Sequence, residues 1–201
     1  MPSPIAHSIT GYALFRGCVH HSNKFKRLRK VLLFWSVFIA NAADLDFIFQ
    51  IFGDLQLHRG PTHSITAVFL ISAFTALISA IFCRAIVWEI MLFTGCVYGS
   101  HLLLDLFTAG GRGMLLFWPI SSDFFKSQLP LFPAVHHSRG FFDASHLLFV
   151  AYEILYSLAL IKLLQRIGSR RSSSKLFPTD RLLPDQDEGT LLFQSHAAKK
   201  D

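Results

Sequence analysis

The chain has few charged residues for its length. Asp, Glu, Lys and Arg together make up 16% of its 201 residues, whereas a soluble globular domain has about 25%. Hydrophobic residues make up 52%, including 21 phenylalanines, and the mean hydropathy is +0.42. This shortage of charge argues against an ordinary soluble domain and indicates a chain that places much of its length in a bilayer.

Cysteine is also scarce. The chain has three cysteines, which lie in apolar segments and form no CxxC pair: Cys18, Cys83 and Cys96. This spacing excludes the usual cysteine-based zinc and redox motifs. We interpret the three thiols as small apolar side chains.

Several long apolar runs account for the composition. Four of them approach the roughly 20 residues that a helix needs to cross a bilayer: 31–52, 64–83, 85–106 and 147–164. A fifth run, 4–19, is a short span or a half-inserted helix, and no basic segment precedes it as in a signal peptide. We therefore predict an all-α fold, an integral membrane bundle of four to five apolar helices.

A change of composition divides the chain near its end. Residues 168–201 are polar, rich in Ser and Pro and of mixed charge, which is typical of disordered segments. We predict a membrane domain over 1–167 and a disordered cytoplasmic tail over 168–201.

The positive charges predict the topology. The net charge is +6, which in a soluble protein would suggest nucleic acid; here we expect no nucleic-acid partner. Lys and Arg concentrate between residues 24 and 30, at Arg84 and between 166 and 175. The positive-inside rule places these three regions in the cytoplasm, so the N-terminus and the segments 53–63 and 107–146 lie outside.

Polar residues within or beside the apolar runs are costly in a membrane and therefore call for a reason. With the topology above, all of them fall on the outer, periplasmic side: His7, Asn41, Asp44, Asp46, His58, His63, Ser100, His101 and Asp105. Lys and Arg alone determined that topology, so this agreement is independent of it. We predict a His/Asp cluster at one membrane face, although each residue alone has an ordinary capping, hydrogen-bonding or loop role as its alternative.

The spacing of these residues indicates how they meet. His101 and Asp105 are four apart and share one helix face, so they can hold one ion. Asp44 and Asp46 diverge by about 200° on a regular helix. Both can therefore face one ion only if the helix ends or frays there; otherwise one binds and the other orients a neighbouring ligand. Gly60 and Pro61 break the chain between His58 and His63 and let the two imidazoles converge.

Imidazole and carboxylate ligands without cysteine suit zinc, manganese or another borderline divalent ion. The set exceeds the needs of one ion, and sites with two metals typically cleave phosphate esters. Asp44 or Asp46 is then a candidate proton acceptor. Arg59 is a candidate phosphate ligand, with a loop arginine that holds headgroups as the alternative.

Other histidines carry less information. We interpret His20 and His21 as solvated or near headgroups in the basic cytoplasmic loop. An accessory role of His136, His137 and Asp143, on the outer side, is left open.

Four pieces of the chain resemble the YdjM-like proteins: "HSITGYAL" at His7, "ADLDFI" around Asp44, "HRGPTHS" at His58 and "SHLLLDLFTAGGRGMLLFWP" from Ser100. These are bacterial inner-membrane proteins described as LexA-regulated, predicted metal-dependent hydrolases. The resemblance covers roughly residues 1–120 and implies a helical membrane protein. It maps the presumed metal ligands onto His7, Asp44, Asp46, His58, His63, His101 and Asp105. The family is also distantly similar to zinc-dependent phospholipase C and related single-strand nucleases.

These observations lead to one main hypothesis and two alternatives. The main one is a multi-pass inner-membrane hydrolase with a divalent metal, zinc by preference, at the periplasmic surface. Its partners are membrane lipids, and its expected substrate is a phospholipid or lipid-linked phosphate. The alternatives are a membrane interaction protein with a structural metal cluster, and a metal or ion transporter, which Glu89, Glu153 and Lys162 within the runs would favour.

Overall fold

A computed structural model describes residues 3–46, 59–109, 111–133 and 144–176, the last segment with side chains only for 147–167. Over these residues the protein is helical and forms no strand, and its extended contacts are two isolated bridges, Thr108 with Phe132 and Met114 with Phe125. The predicted all-α fold is confirmed.

Five α-helices make up the described part of the chain. They are α1 (Pro4–Leu14), α2 (Arg29–Asn41), α3 (Ile65–Phe82), α4 (Val87–Leu106) and α5 (Ala144–Leu176). Serine caps begin two of them: Ser3 Oγ accepts a hydrogen bond from the Ile5 amide at 3.1 Å, and Ser64 Oγ accepts one from Ala67 at 3.1 Å. A serine side chain can replace a missing helix partner for the first amides, so both starts are encoded locally.

Three stretches are long and apolar enough to cross a membrane: Ile65–Phe82, Arg84–Leu106 and Leu147–Ile167. They correspond to three of the predicted runs. The other two helices are shorter, with 11 residues in α1 and 13 in α2. The end of the predicted run 31–52 lies outside the described residues.

Helix α4 is the most buried of the three candidate spans, with 44% of its window buried against 17% for each of the others. It packs against α1, α2 and α3. Helices α1 and α2 approach each other closely, since a Cβ added to Gly11 would lie 2.5 Å from the Ser36 carbonyl oxygen. A glycine is required there because the two backbones nearly touch.

The segment after α4 folds across the end of α3 and α4. The Ile65 amide donates to Leu116 O at 2.9 Å, and Met114, which is 1% exposed, exchanges two backbone hydrogen bonds with Phe125. Gly113 has a φ of +94°, and a Cβ there would lie 2.5 Å from Phe125 O. Only glycine fits this position, so the "GGRG" stretch is partly a structural requirement.

The chain divides into two units, Met1–Leu164 and Gln165–Asp201. Helix α5 continues to Leu176, beyond residue 167, where the composition changes. The predicted disorder of 168–201 stays a prediction.

Candidate metal centre

The predicted polar residues come from four different elements. His7 lies in the first turns of α1, Asp44 in a 3₁₀ turn (Ala42–Leu45) that follows α2, and His63 in another (Pro61–His63) that precedes α3, while His101 and Asp105 lie in the last turns of α4. All five belong to the same end of the bundle because α1 begins, α2 ends, α3 begins and α4 ends there.

Four of these side chains form a group that can hold a metal ion. One ligand atom each from Asp44, His63, His101 and Asp105 lies within 4.8 Å of all the others. His63 Nε2 is 3.4 Å from Asp105 Oδ2 and 3.5 Å from Asp44 Oδ1. His101 Nε2 is 3.5 Å from Asp44 Oδ1 and 3.3 Å from His63 Nε2. Imidazole nitrogens and carboxylate oxygens therefore converge on one small space.

An oxygen atom beside the Nδ1 of each imidazole, His63 and His101, fixes the orientation of its ring. His101 Nδ1 lies 2.8 Å from the Ala40 carbonyl oxygen. A carbonyl only accepts, so Nδ1 carries the proton and Nε2 presents a lone pair to the group of four. His63 Nδ1 lies 3.3 Å from Asp46 Oδ2. A carboxylate or carbonyl behind a histidine is the usual arrangement for a metal ligand.

Asp46 thus faces the back of His63 and is not one of the four. Thr62 Oγ1 donates to Asp46 Oδ2 at 2.7 Å. In a 3₁₀ turn, with three residues per turn, side chains two apart diverge by about 120°, and this divergence separates Asp44 from Asp46. Of the two arrangements that the sequence left open, the geometry has Asp44 at the centre and Asp46 beside His63.

His7 lies at the edge of the group of four. Its ring stacks on His101 with centroids 4.0 Å apart, and its Nε2 is 3.7 Å from Asp105 Oδ1. The side chain is fully buried, and neither ring nitrogen has a hydrogen-bond partner. Because Asp105 presents Oδ1 to His7 and Oδ2 to His63, its carboxylate connects His7 with the other ligands.

Arg59 also belongs to this centre. Its backbone is left-handed, with a φ of 63°, and its side chain is 9% exposed. Its Nε lies 3.7 Å from Asp105 Oδ2, and a Cβ on Gly111 would lie 3.0 Å from its Nη1. The sequence did not predict that the arginine would pair with a candidate ligand.

The centre has an excess of buried negative charge. Burial favours the neutral form of His63, but the nearby carboxylates of Asp105, Asp44 and Asp46 outweigh it and raise its pKa above the ordinary value. Asp44 Oδ1 and both oxygens of Asp105 are buried without a well-formed hydrogen bond. Unsatisfied buried carboxylate oxygens are costly, and a divalent cation would satisfy them. The residues therefore fit a metal ion.

Tyr98 supports the centre, although the sequence analysis did not single it out. Tyr98 Oη donates to Thr62 O at 2.8 Å and ties the His63 turn to α4. Its spacing was a usable signal, since positions 98, 101 and 105 share one helix face. The candidates His58, His136, His137 and Asp143 lie outside the described residues.

Comparisons with known proteins agree with this architecture. The model of the YdjM inner membrane protein family matches residues 1–165. The inner membrane protein YbcI of Escherichia coli strain K12 is 31% identical over 129 residues, which are 62% of this chain and 72% of that protein. No solved structure matches the chain. The resemblance seen in the four sequence pieces is confirmed, and the chain belongs to the YdjM family of inner membrane proteins.

Proposed function

We propose that the protein is a membrane-bound metal-dependent hydrolase that cleaves phosphate esters, lipid or lipid-linked, at the membrane surface. The observation that carries the proposal is the group Asp44, His63, His101 and Asp105, whose ligand atoms lie within 4.8 Å of one another. His63 and His101 are fully buried and Asp105 is 2% exposed. Such a convergence of buried titratable groups at the ends of membrane helices is expensive, which favours a functional site.

Zinc is the proposed ion because two imidazoles and two carboxylates without cysteine suit it. The donors Asp44, His63, His101 and Asp105 would hold one ion, and His7 with Asp105 Oδ1 would add ligands for a second. When such ions are bound, the chemistry available is Lewis-acid activation of water and of a phosphoryl oxygen.

Asp44 is the proposed proton acceptor. Its side chain is 19% exposed, whereas those of His63 and Asp105 are fully covered. A substrate therefore reaches the centre most directly past this carboxylate. The second catalytic candidate, Asp46, serves here as a positioning residue, because its Oδ2 lies 3.3 Å from His63 Nδ1, on the side of the imidazole that faces away from the group of four.

Arg59 is the proposed phosphate ligand. Its guanidinium is held beside Asp105, so it stands at the edge of the metal centre. A planar fork of N–H donors matches two phosphate oxygens, which a lysine cannot do. The centre lies at the ends of helices that are long and apolar enough to cross a membrane. A membrane around these helices would bring the centre near the lipid headgroups, which favours a lipid substrate.

A structural metal cluster is the second candidate. The near-complete burial of His7, His63 and His101 favours it, because a structural site is closed whereas a catalytic one keeps an open position. The hydrolase and the structural cluster both predict bound metal, but only the hydrolase predicts turnover of a substrate.

The experiment begins with metal content. The full chain is purified in mild detergent and its zinc, manganese, iron and nickel are quantified beside the double variant His101→Ala/Asp105→Ala. The matched control is His21→Ala/Asp123→Ala, which removes the same residue types from exposed positions. We expect stoichiometric metal in the parent and the control and none in the His101/Asp105 variant.

A screen of phosphodiesters and phospholipids follows, with the metal-loaded parent. Hydrolysis that a chelator abolishes, that added metal restores and that the His101→Ala/Asp105→Ala variant lacks would support the enzyme. Retained metal without turnover of any phosphate ester would favour the structural cluster. Absence of metal after reconstitution at neutral pH would contradict both.

A further inference from the structure

A second cluster of polar side chains lies at the other end of α1 and α2. After Leu14 the chain passes through a π-helical turn, Phe15–Val19, closed by a hydrogen bond from the His20 amide to Phe15 O at 2.9 Å. This turn carries Arg16 and leads into His20, and α2 begins at Arg29. Single π-turns occur often at functional sites because they displace side chains from the regular helical register.

These residues line a cleft of about 250 Å³. Arg16, His20, Arg29 and Lys30 supply its polar lining, and Tyr12, Phe15 and Leu33 supply its apolar lining. The cleft therefore combines four groups that are cationic or can become so with an apolar wall between two membrane-associated helices.

The positive charges of this cleft have no acidic partner among the described residues. A described ion pair, Lys24 with Glu89 at 2.8 Å, uses a lysine of the same loop that lies outside the cleft. Arg29 Nη2 reaches the Ser22 carbonyl oxygen at 3.5 Å, while its Nε is buried without a hydrogen bond. The cleft thus gathers guanidinium groups and leaves at least one buried donor unsatisfied, which an anion would correct.

The positive charges also act on one another. Burial, followed by the charges of Arg16, His21 and Arg29, lowers the pKa of His20 below its ordinary value. Like charges held together in this way oppose each other. A bound anion would remove the repulsion.

We propose that this cleft binds the phosphate headgroup of an anionic phospholipid, with Arg16 and Arg29 on the phosphate and the start of an acyl chain on Tyr12 and Leu33. Helix α2, which supplies Leu33 to the cleft, also carries Val31 and Phe34 with 62% and 72% exposure, so it offers further apolar surface to a lipid chain. A free phosphate would use only the cationic lining. Basic pockets between membrane helices are typical sites for anionic headgroups, and the Lys and Arg distribution places this end in the cytoplasm.

The site is independent of the metal centre. It lies at the opposite end of α1 and α2, roughly 20 Å from Asp44 along α2, since Arg29 precedes Asp44 by fifteen residues of about 1.5 Å each. Helicity by circular dichroism reports whether a variant of the cleft keeps its fold, whether or not the other end holds metal.

The test uses the full chain in detergent and native mass spectrometry with phosphatidylglycerol or phosphatidylcholine. The variant Arg16→Gln/Arg29→Gln removes the two guanidinium groups. The control Lys26→Gln/Arg27→Gln removes the same charge from exposed positions of the same loop. We expect the parent to retain phosphatidylglycerol preferentially, the cleft variant to lose about tenfold or more of that retention, and the control to keep it.

The remaining outcomes decide against the proposal. Equal losses in the two variants would mean diffuse attraction by the basic loop, and equal retention of both lipids would mean no headgroup recognition. A third arm adds inorganic phosphate alone: displacement of the lipid at millimolar phosphate would show a free-phosphate site. If the cleft variant loses helicity by circular dichroism, Arg16→Lys/Arg29→Lys replaces it. This pair keeps the positive charge but loses the planar pair of N–H donors that a guanidinium presents. Undiminished lipid retention would therefore contradict a site that requires guanidinium groups.

Discussion

Each histidine of the group of four depends on a neighbour that holds its Nδ1. For His101 this neighbour is the carbonyl of Ala40, and for His63 it is the carboxylate of Asp46. A backbone carbonyl cannot be removed by substitution, whereas Asp46 can. A substitution of Asp46 therefore tests the orientation of the His63 imidazole without removing one of the four candidate ligands.

We expect Asp46→Asn to weaken metal affinity by about 10- to 100-fold, the usual effect of removing an orienting partner. Stoichiometry at saturating zinc should stay unchanged. Asp105→Asn, by contrast, should abolish binding, because both of its oxygens face imidazoles. Competition with a chelating dye measures both affinities, and Asp123→Asn serves as the exposed control. Equal losses in Asp46→Asn and Asp105→Asn would mean that Asp46 is itself a ligand.

Arg59 combines a strained backbone with a buried charge. We expect Arg59→Gln to raise the KM for a phosphate ester by tenfold or more while metal content stays near that of the parent, because a charged hydrogen bond contributes about 1.5–3 kcal/mol. Arg59→Lys should recover part of this loss, since it keeps the charge but not the fork. Steady-state kinetics with metal analysis on the same samples checks it. A fall in metal content that parallels activity would instead make Arg59 a structural partner of Asp105.

At the scale of elements, one glycine sets how closely α1 and α2 pack. A Cβ on Gly11 would lie 2.5 Å from Ser36 O and 2.9 Å from Ala40 Cβ. The carbonyl of Ala40 holds His101, so the same contact that joins two helices also supports the metal centre. Small residues are the usual means of close packing where no water drives association.

We expect Gly11→Ala to destabilise the bundle by about 1–3 kcal/mol, the usual cost of overpacking, and to weaken metal binding as well. Gly17→Ala is the matched control, because a Cβ there meets nothing within 4 Å. The free energy of unfolding, from titration with sodium dodecyl sulfate followed by circular dichroism, distinguishes the two. Equal stability of both variants would contradict the close approach of α1 and α2.

Helix α5 contacts α1 through polar groups. The Ser3 amide donates to Glu153 Oε1, and Thr10 Oγ1 lies 2.7 Å from Tyr156 Oη. Glu153 is 6% exposed, so this carboxylate is satisfied by a helix N-terminus, where an anion is favourable. The contact gives Glu153 a structural role and removes one of the observations that favoured a transporter.

At the scale of the whole molecule, the two ends of the α1–α2 pair differ in chemistry. One end gathers Asp and His around a proposed metal, and the other gathers Arg and Lys. A membrane protein with this polarity has a defined orientation if the positive-inside rule holds.

We expect the metal centre to face the periplasm. In a chain whose three cysteines are replaced by alanine, Asp123→Cys should react with an impermeant maleimide in intact spheroplasts, because position 123 is exposed at the end with the metal centre. Lys26→Cys, exposed at the other end, should react only after lysis. The reverse pattern would overturn the predicted orientation and place the site in the cytoplasm.

Much of the fold and part of the site followed from local sequence features. Uncharged runs predicted the helices because each must satisfy its backbone hydrogen bonds within itself in a membrane. The four-residue spacing of His101 and Asp105 placed both on one face of α4. No such rule relates Asp44 to Asp46 across the end of α2, and the change from α-helix to 3₁₀ turn after Asn41 is what separates them.

The sequence by itself determined the membrane class, the family and the gathering of His and Asp at one end, since each depends on composition, short motifs or the direction of successive helices. The tertiary structure decided which groups meet: His7 on Asp105, Arg59 beside the same carboxylate, and Arg16 with Arg29 in the cleft. These contacts depend on how helices rotate and approach one another. Side-chain packing across the whole bundle sets the rotation of each helix, and the spacing of residues along the sequence does not predict that rotation.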